Sequence, residues 1–120
     1  MKMLNIVRFF WFPVFCALVT PVANAYINRP VAVIQVLNKA AGKTQTLRIP
    51  VGETAQFEKL NITVQSCMQS DPFDAENFYA FVEIAQSGNT KFFGNWMDRN
   101  NPGKNPVQNP DYDAWLVKCD

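Results

Sequence analysis

"TAQFEKLNITVQSC", residues 54–67, reads as strand in two pieces, either a hairpin or one bent strand. Ile62 and Val64 alternate with Thr63 and Gln65. That is the period-two signature of a sheet with one face in a core and the other in water. Met68, just beyond, continues the inward phase, whereas Cys67 falls on the polar face with Thr63 and Gln65. A bonded cysteine there requires a sheet edge, a bulge that shifts the phase, or a loop packed over the outer face, and all three stay open.

The surrounding sequence has the same punctuation. "RPVAVIQVLNK" (29–39) is β-branched and apolar, and ends at "AAGK", where Gly42 permits a turn. "TQTLRIP" (44–50) is a short strand, followed by a second turn at Gly52. "SDPFDAEN" (70–77) is a turn-rich acidic loop. "FYAFVEIAQ" (78–86) is the strongest strand, with Phe78, Ala80, Val82 and Ile84 on one side and Tyr79 and Phe81 on the other. "SGN" (87–89) turns it into "TKFFGNWMD" (90–98), and "AWLVKC" (114–119) is the last strand. The pattern predicts an all-β protein: a small antiparallel β-sandwich or partly open β-barrel of six to seven strands.

The first 25 residues stand apart. Lys2 and Arg8 are their only charges, and "FFWFPVFCALV" then leads to "TPVANA", with an A-x-A site at Ala23 and Ala25. This reads as a signal peptide over residues 1–25, leaving a single β-domain over 26–120. The rival is an uncleaved anchor, although the apolar run is shorter than the roughly 20 residues of a membrane span. Phe15 before Cys16 stands where a lipobox wants a small residue. Without the leader, nine Lys/Arg face ten Asp/Glu, with the signs interspersed. This balance argues against nucleic acid and against strong docking on anionic headgroups. Two of the three cysteines remain, Cys67 and Cys119. In an exported chain they most simply form one disulfide, with two free thiols as the alternative.

"VAVIQVLNK", "IPVGETAQFEKLNITVQSC", "FVEI", "NWM" and "NPDYDAWLVKC" together resemble the domain of unknown function 2155 family, short exported proteins typical of alphaproteobacteria. The resemblance runs from about Arg29 to Cys119. It implies an envelope protein without an assigned activity, and that Cys67 and Cys119 belong together. The family places Gly directly before Trp, whereas Asn95 separates Gly94 from Trp96 here.

Chemistry-bearing groups are few. The chain has no histidine, which removes the usual neutral-pH base and the commonest metal ligand. Neither a metal site nor a cofactor is expected. Asp98, Asp111 and Asp113 cluster around the long loop, and paired carboxylates can cleave glycosidic bonds. Aspartates beside turns more often accept hydrogen bonds from their own backbone. The late aromatics Phe92, Phe93, Trp96, Tyr112 and Trp115 either fill the core or form a platform. The phase of Trp115 with Val117 and Cys119 favours the core. Phe92 and Trp96 point opposite to Phe93, which is expected nearer solvent. Phe93, Trp96 and Tyr112, with Asp98, Asp111 and Asp113, form the candidate binding surface. "NPGKNPVQNPDY" (101–112) reads as a stiff loop forming its rim.

The function expected is a non-enzymatic binding, accessory or assembly role in the periplasm, with an envelope protein or membrane complex as partner. One alternative is a structural subunit of an inner-membrane complex facing the periplasm, held by an uncleaved helix. The resemblance suggests respiratory complex I as an example of such a complex. The other is a small envelope hydrolase using Asp98 with Asp111 or Asp113.

Overall fold

A computed structural model describes residues 26–120 apart from Asn89. The expected leader, with Cys16, lies outside the described residues. Eight strands form two antiparallel sheets: β1 (Ile27–Asn28), β2 (Val31–Asn38), β3 (Lys43–Pro50), β4 (Thr54–Phe57), β5 (Leu60–Gln69), β6 (Phe78–Gln86), β7 (Lys91–Asp98) and β8 (Tyr112–Cys119). The architecture is the sandwich rather than the barrel, and the strand beyond the expected seven is the two-residue β1. One sheet runs β5-β6-β7, with β4 and β1 sharing the outer edge of β5; the other runs β3-β2-β8. No helix among the described residues is long and apolar enough to cross a membrane.

"TAQFEKLNITVQSC" is a hairpin. Phe57 pairs with Leu60 across a two-residue turn, in which Glu58 takes a φ of 53°. The chain passes from one sheet to the other through the turn at 50–53, where the Glu53 N–H donates to Pro50 O at 3.0 Å. Gly52, at a φ of 91°, occupies the position that demands a left-handed residue in a type II turn.

The inner faces form one apolar cluster, with Ala32, Ile34 and Val36 from β2 against Ile62, Val64, Ala80, Val82 and Ile84 from β5 and β6. Three bulges set what reaches it. In β5 the register slips between Val64 and Ser66, so Gln65 is extra and Cys67 turns inward opposite Ala80. In β8 Val117 is extra, and Cys119 turns inward opposite Ala32. In β7 Phe92 is extra, and Phe93 turns inward opposite Ile84. The bulge is thus the device, of the three left open, that buries Cys67, and it leaves Met68 on the outer face.

Cys67 and Cys119 form the disulfide, with Cα atoms 5.7 Å apart, and join the two sheets. At the opposite end, Glu58 holds the sheets together: its carboxylate accepts from Asn38 Nδ2 at 2.8 Å and from the Tyr112 hydroxyl at 3.2 Å.

Strands β7 and β8 both run from this hairpin end to the disulfide end, so residues 99–111 return the whole length of the sandwich as a strap. Val107 drops from the strap into the core. Asn105 Nδ2 donates to Trp96 O at 3.0 Å, and Lys39 Nζ donates to Asn109 O at 2.8 Å.

Candidate functional site

The expected surface of Phe93, Trp96 and Tyr112 is not one surface. Phe93 and Tyr112 are buried, at 8% and 6% exposure, and Trp96 is 38% exposed. The expectation that Phe93 lies nearer solvent than Trp96 is therefore reversed. Phe93 shares its strand face with buried Met97 and pairs with buried Ile84, whereas Trp96 pairs with outward-facing Phe81. The core reading of the tryptophans is overturned as well. Val117 breaks the phase, so Trp115 stays outside and half-buried while Cys119 goes in.

Tyr112 packs edge-on to Phe57, with ring centroids 6.2 Å apart. Burial, reinforced by the Glu58 carboxylate at its hydroxyl, pushes the Tyr112 pKa above its ordinary value.

The three aspartates are separated by the fold. Asp98 pairs with Tyr79 on the outer face of the five-stranded sheet, and Asp113 pairs with Leu37 on the outer face of the other. Asp111 lies at the hairpin end, where its carbonyl accepts the Lys39 N–H at 2.8 Å. That is roughly 20 Å along the strands from Asp98, at about 3.3 Å per residue. Asp98 Oδ1 is occupied by Asn77 Nδ2 at 2.8 Å and the Asn100 N–H at 3.0 Å. Asp113 Oδ1 accepts the Ala114 N–H at 2.8 Å. The geometry therefore pairs Asp98 with neither of the other two. Among the described residues no group of three His, Cys, Asp or Glu could hold a metal ion.

What the structure does assemble is an aromatic stripe on the outer face of β5, β6 and β7. Phe81 and Trp96 meet edge to face, with centroids 5.5 Å apart and planes at 79°. Tyr79 and Tyr26 repeat the arrangement at 5.7 Å and 81°. Met68, opposite Tyr79, fills in beside them. Outward positions of a sheet facing water are ordinarily polar, and these are not.

Beyond Phe81 the face becomes polar. Lys91 Nζ lies 2.6 Å from Glu83 Oε2, and Gln65 Nε2 donates to Glu83 Oε1 at 3.0 Å. The Lys91 contact, followed by that of Gln65, holds the Glu83 carboxyl below its ordinary value.

The Tyr79/Phe81 alternation was visible in the sequence. Its junction with Trp96 and Tyr26 depends on cross-strand register, which was not. The free edge of β7 beside the stripe is blunted, since the Trp96 N–H donates to Asn95 Oδ1 at 2.8 Å, and in the other sheet the Ala114 N–H of β8 donates likewise to Asp113 Oδ1. Two shallow grooves follow the strap. One of about 350 Å³ lies between Pro102, Gly103, Pro106 and β8 at Asp113–Trp115. The other, of about 300 Å³, lies between Lys104–Gln108 and β7 at Phe92–Asn95.

No curated protein and no solved structure matches the chain. Residues 32–119, from the first core residue of β2 to the second half of the disulfide, match the family described as an uncharacterized protein conserved in bacteria (DUF2155). The chain therefore belongs to the DUF2155 family.

Proposed function

We propose that this protein is a non-enzymatic binding domain of the bacterial periplasm that holds an envelope protein against the outer face of β5, β6 and β7. The observation carrying this reading is the double edge-to-face arrangement, Phe81 with Trp96 and Tyr79 with Tyr26. An apolar centre with a polar rim, here Glu83, Lys91 and Gln65, is the anatomy of a protein interface. Rings at 79° and 81° to one another give a ridged surface that receives side chains, not a flat shelf on which a sugar ring stacks. The near-neutral charge of residues 26–120 supports a protein over nucleic acid or an anionic bilayer. A disulfide in an oxidising compartment and the signal-like leader support the location.

Trp96→Ala and Phe81→Ser, both on the outer face, are expected to leave the fold intact and to abolish co-purification with one envelope protein. If both variants retain the partners of the unmodified protein, the reading fails. The location has a separate check: N-terminal sequencing of the protein from a whole-cell extract is expected to begin at Tyr26. A chain still bearing residues 1–25 would point instead to the membrane-anchored accessory subunit.

A further inference from the structure

The most exposed large apolar side chain among the described residues lies off the stripe. Phe73, in the β5–β6 loop, is 95% exposed. The surrounding loop is rigidly made. Asp71, Pro72, Phe73 and Asp74 form a β-turn in which the Asp74 N–H donates to Asp71 O at 2.9 Å and the Phe73 N–H donates to Asp71 Oδ1 at 2.8 Å. Proline at the second position presets φ, and aspartate at the first locks the turn through its side chain.

The base of the loop is braced as firmly. Ser70 and Asn77 are buried and exchange hydrogen bonds at 2.9 Å, Ser70 N–H to Asn77 O and Asn77 N–H to Ser70 Oγ. Arg99 reaches from the end of β7 to Glu76 O at 3.0 Å and lies over the Phe78 ring at 5.0 Å. A phenylalanine at the apex of a pre-formed turn would meet a partner with its backbone already ordered, so that only its side-chain rotamer remains to be fixed.

We infer that Phe73 is the anchor of a second protein contact, inserting into an apolar socket rimmed by Lys or Arg on the partner. The charge of the turn selects that rim: Asp71 and Asp74 flank Phe73, and residues 70–78 contain no cation. The same carboxylates disfavour an anionic lipid surface. The loop stands at the Tyr26–Tyr79 end of the stripe, because Ile27 pairs with Gln69 immediately before it. A partner on the stripe therefore has Phe73 within reach. The inference itself rests on the turn and not on the stripe.

The test places the photo-crosslinking residue p-benzoylphenylalanine at position 73 in cells producing the full chain, with exposed Thr44 as the control position. The expected result is an adduct with one protein, through a peptide that borders an apolar, Lys/Arg-rimmed socket. Asp74→Lys is expected to reduce its yield by about tenfold, through like-charge repulsion. Phe73→Ser is expected to leave the thermal midpoint unchanged, because the side chain buries nothing. An adduct no stronger than that from position 44, an adduct with lipid or with many proteins, or a yield indifferent to Asp74→Lys overturns the inference. If Trp96→Ala abolishes co-purification while position 73 gives no adduct, the inference falls and the stripe reading stands. The converse result sinks only the stripe.

Discussion

Cys67 and Cys119 reach one another because each lies two residues past a bulge, Gln65 in β5 and Val117 in β8. Each extra residue moves one cysteine from the outer face to the inner one. Deleting either Gln65 or Val117 removes only the unpaired residue, so strict alternation then holds with that cysteine still inward, opposite Ala80 or Ala32. The expected outcome is no labelled thiol in native residues 26–120 of either deletion variant or of the parent. Labelled thiols in a deletion variant would mean that the cysteine's face is not set by its pairing. Cys67→Ser combined with Cys119→Ser keeps the bulges and removes the bond. Since the bridge closes a 52-residue separation, the loss is expected to be about 4 kcal/mol in urea unfolding.

Tyr112 links stability to alkaline pH. Its pKa is raised by burial first and by the Glu58 hydroxyl contact second. A raised pKa means that the folded protein holds this proton more tightly than the unfolded chain does. The contribution is therefore complete below the ordinary tyrosine pKa of about 10 and is lost as pH rises through the folded value. Stability measured between pH 9 and 12 is expected to fall less steeply in Tyr112→Phe than in the parent.

The turn between β4 and β5 stores backbone strain at Glu58, the one non-glycine residue with positive φ among those described. Its carboxylate also accepts two hydrogen bonds, so the position carries opposing contributions. Glu58→Ala keeps the strain and loses the acceptor, at an expected cost of about 2 kcal/mol. Glu58→Gly loses the acceptor but relaxes the backbone, and is expected to be about 1 kcal/mol more stable than the alanine variant. Glu58→Gln keeps an acceptor oxygen and is expected to lie closest to the parent in urea unfolding.

The strap is fastened at Val107 and Asn105. Val107→Ala removes two buried carbons, and about 2 kcal/mol is the expected loss in chemical unfolding. Asn105→Ala releases only the bond to Trp96 O, so the thermal midpoint is expected to move little. Limited proteolysis between residues 99 and 111 is expected to quicken.

Phe81 and Trp96 give a coupling that can be measured without knowing the partner. A double-mutant cycle to alanine on the free protein is expected to return about 0.5–1.5 kcal/mol, the range of an edge-to-face pair. A coupling near zero would mean that the two rings do not hold one another in place.

The strands were legible because β2 is an apolar, β-branched run and because β6 and the first half of β5 alternate, and the turns because Gly42, Gly52 and Asp71-Pro72 are chemically committed to them. The bulges were not. Gln65 and Val117 are ordinary strand residues, and nothing in their own chemistry shows that each will be the unpaired one. Only the partner strand decides it. The error at Phe93 has a related cause: both faces of "KFFGNWM" carry large apolar residues, so alternation cannot tell in from out until Ile84 supplies the register. Phe73 was visible as part of a turn, but its exposure depends on where the turn stands in the fold.

The order of strands in the smaller sheet bears on how the protein is made. β2, "VAVIQVLN", is flanked by β3, which follows it at once, and by β8, the last strand of the described chain. Until β8 arrives, one edge of an almost wholly apolar, β-branched strand stands unpaired, the kind of segment that templates aggregation. Closing that edge demands a contact across nearly the full length of the domain, and contacts of that range form slowly. The interval before β8 docks is when this chain most needs a holdase beside it.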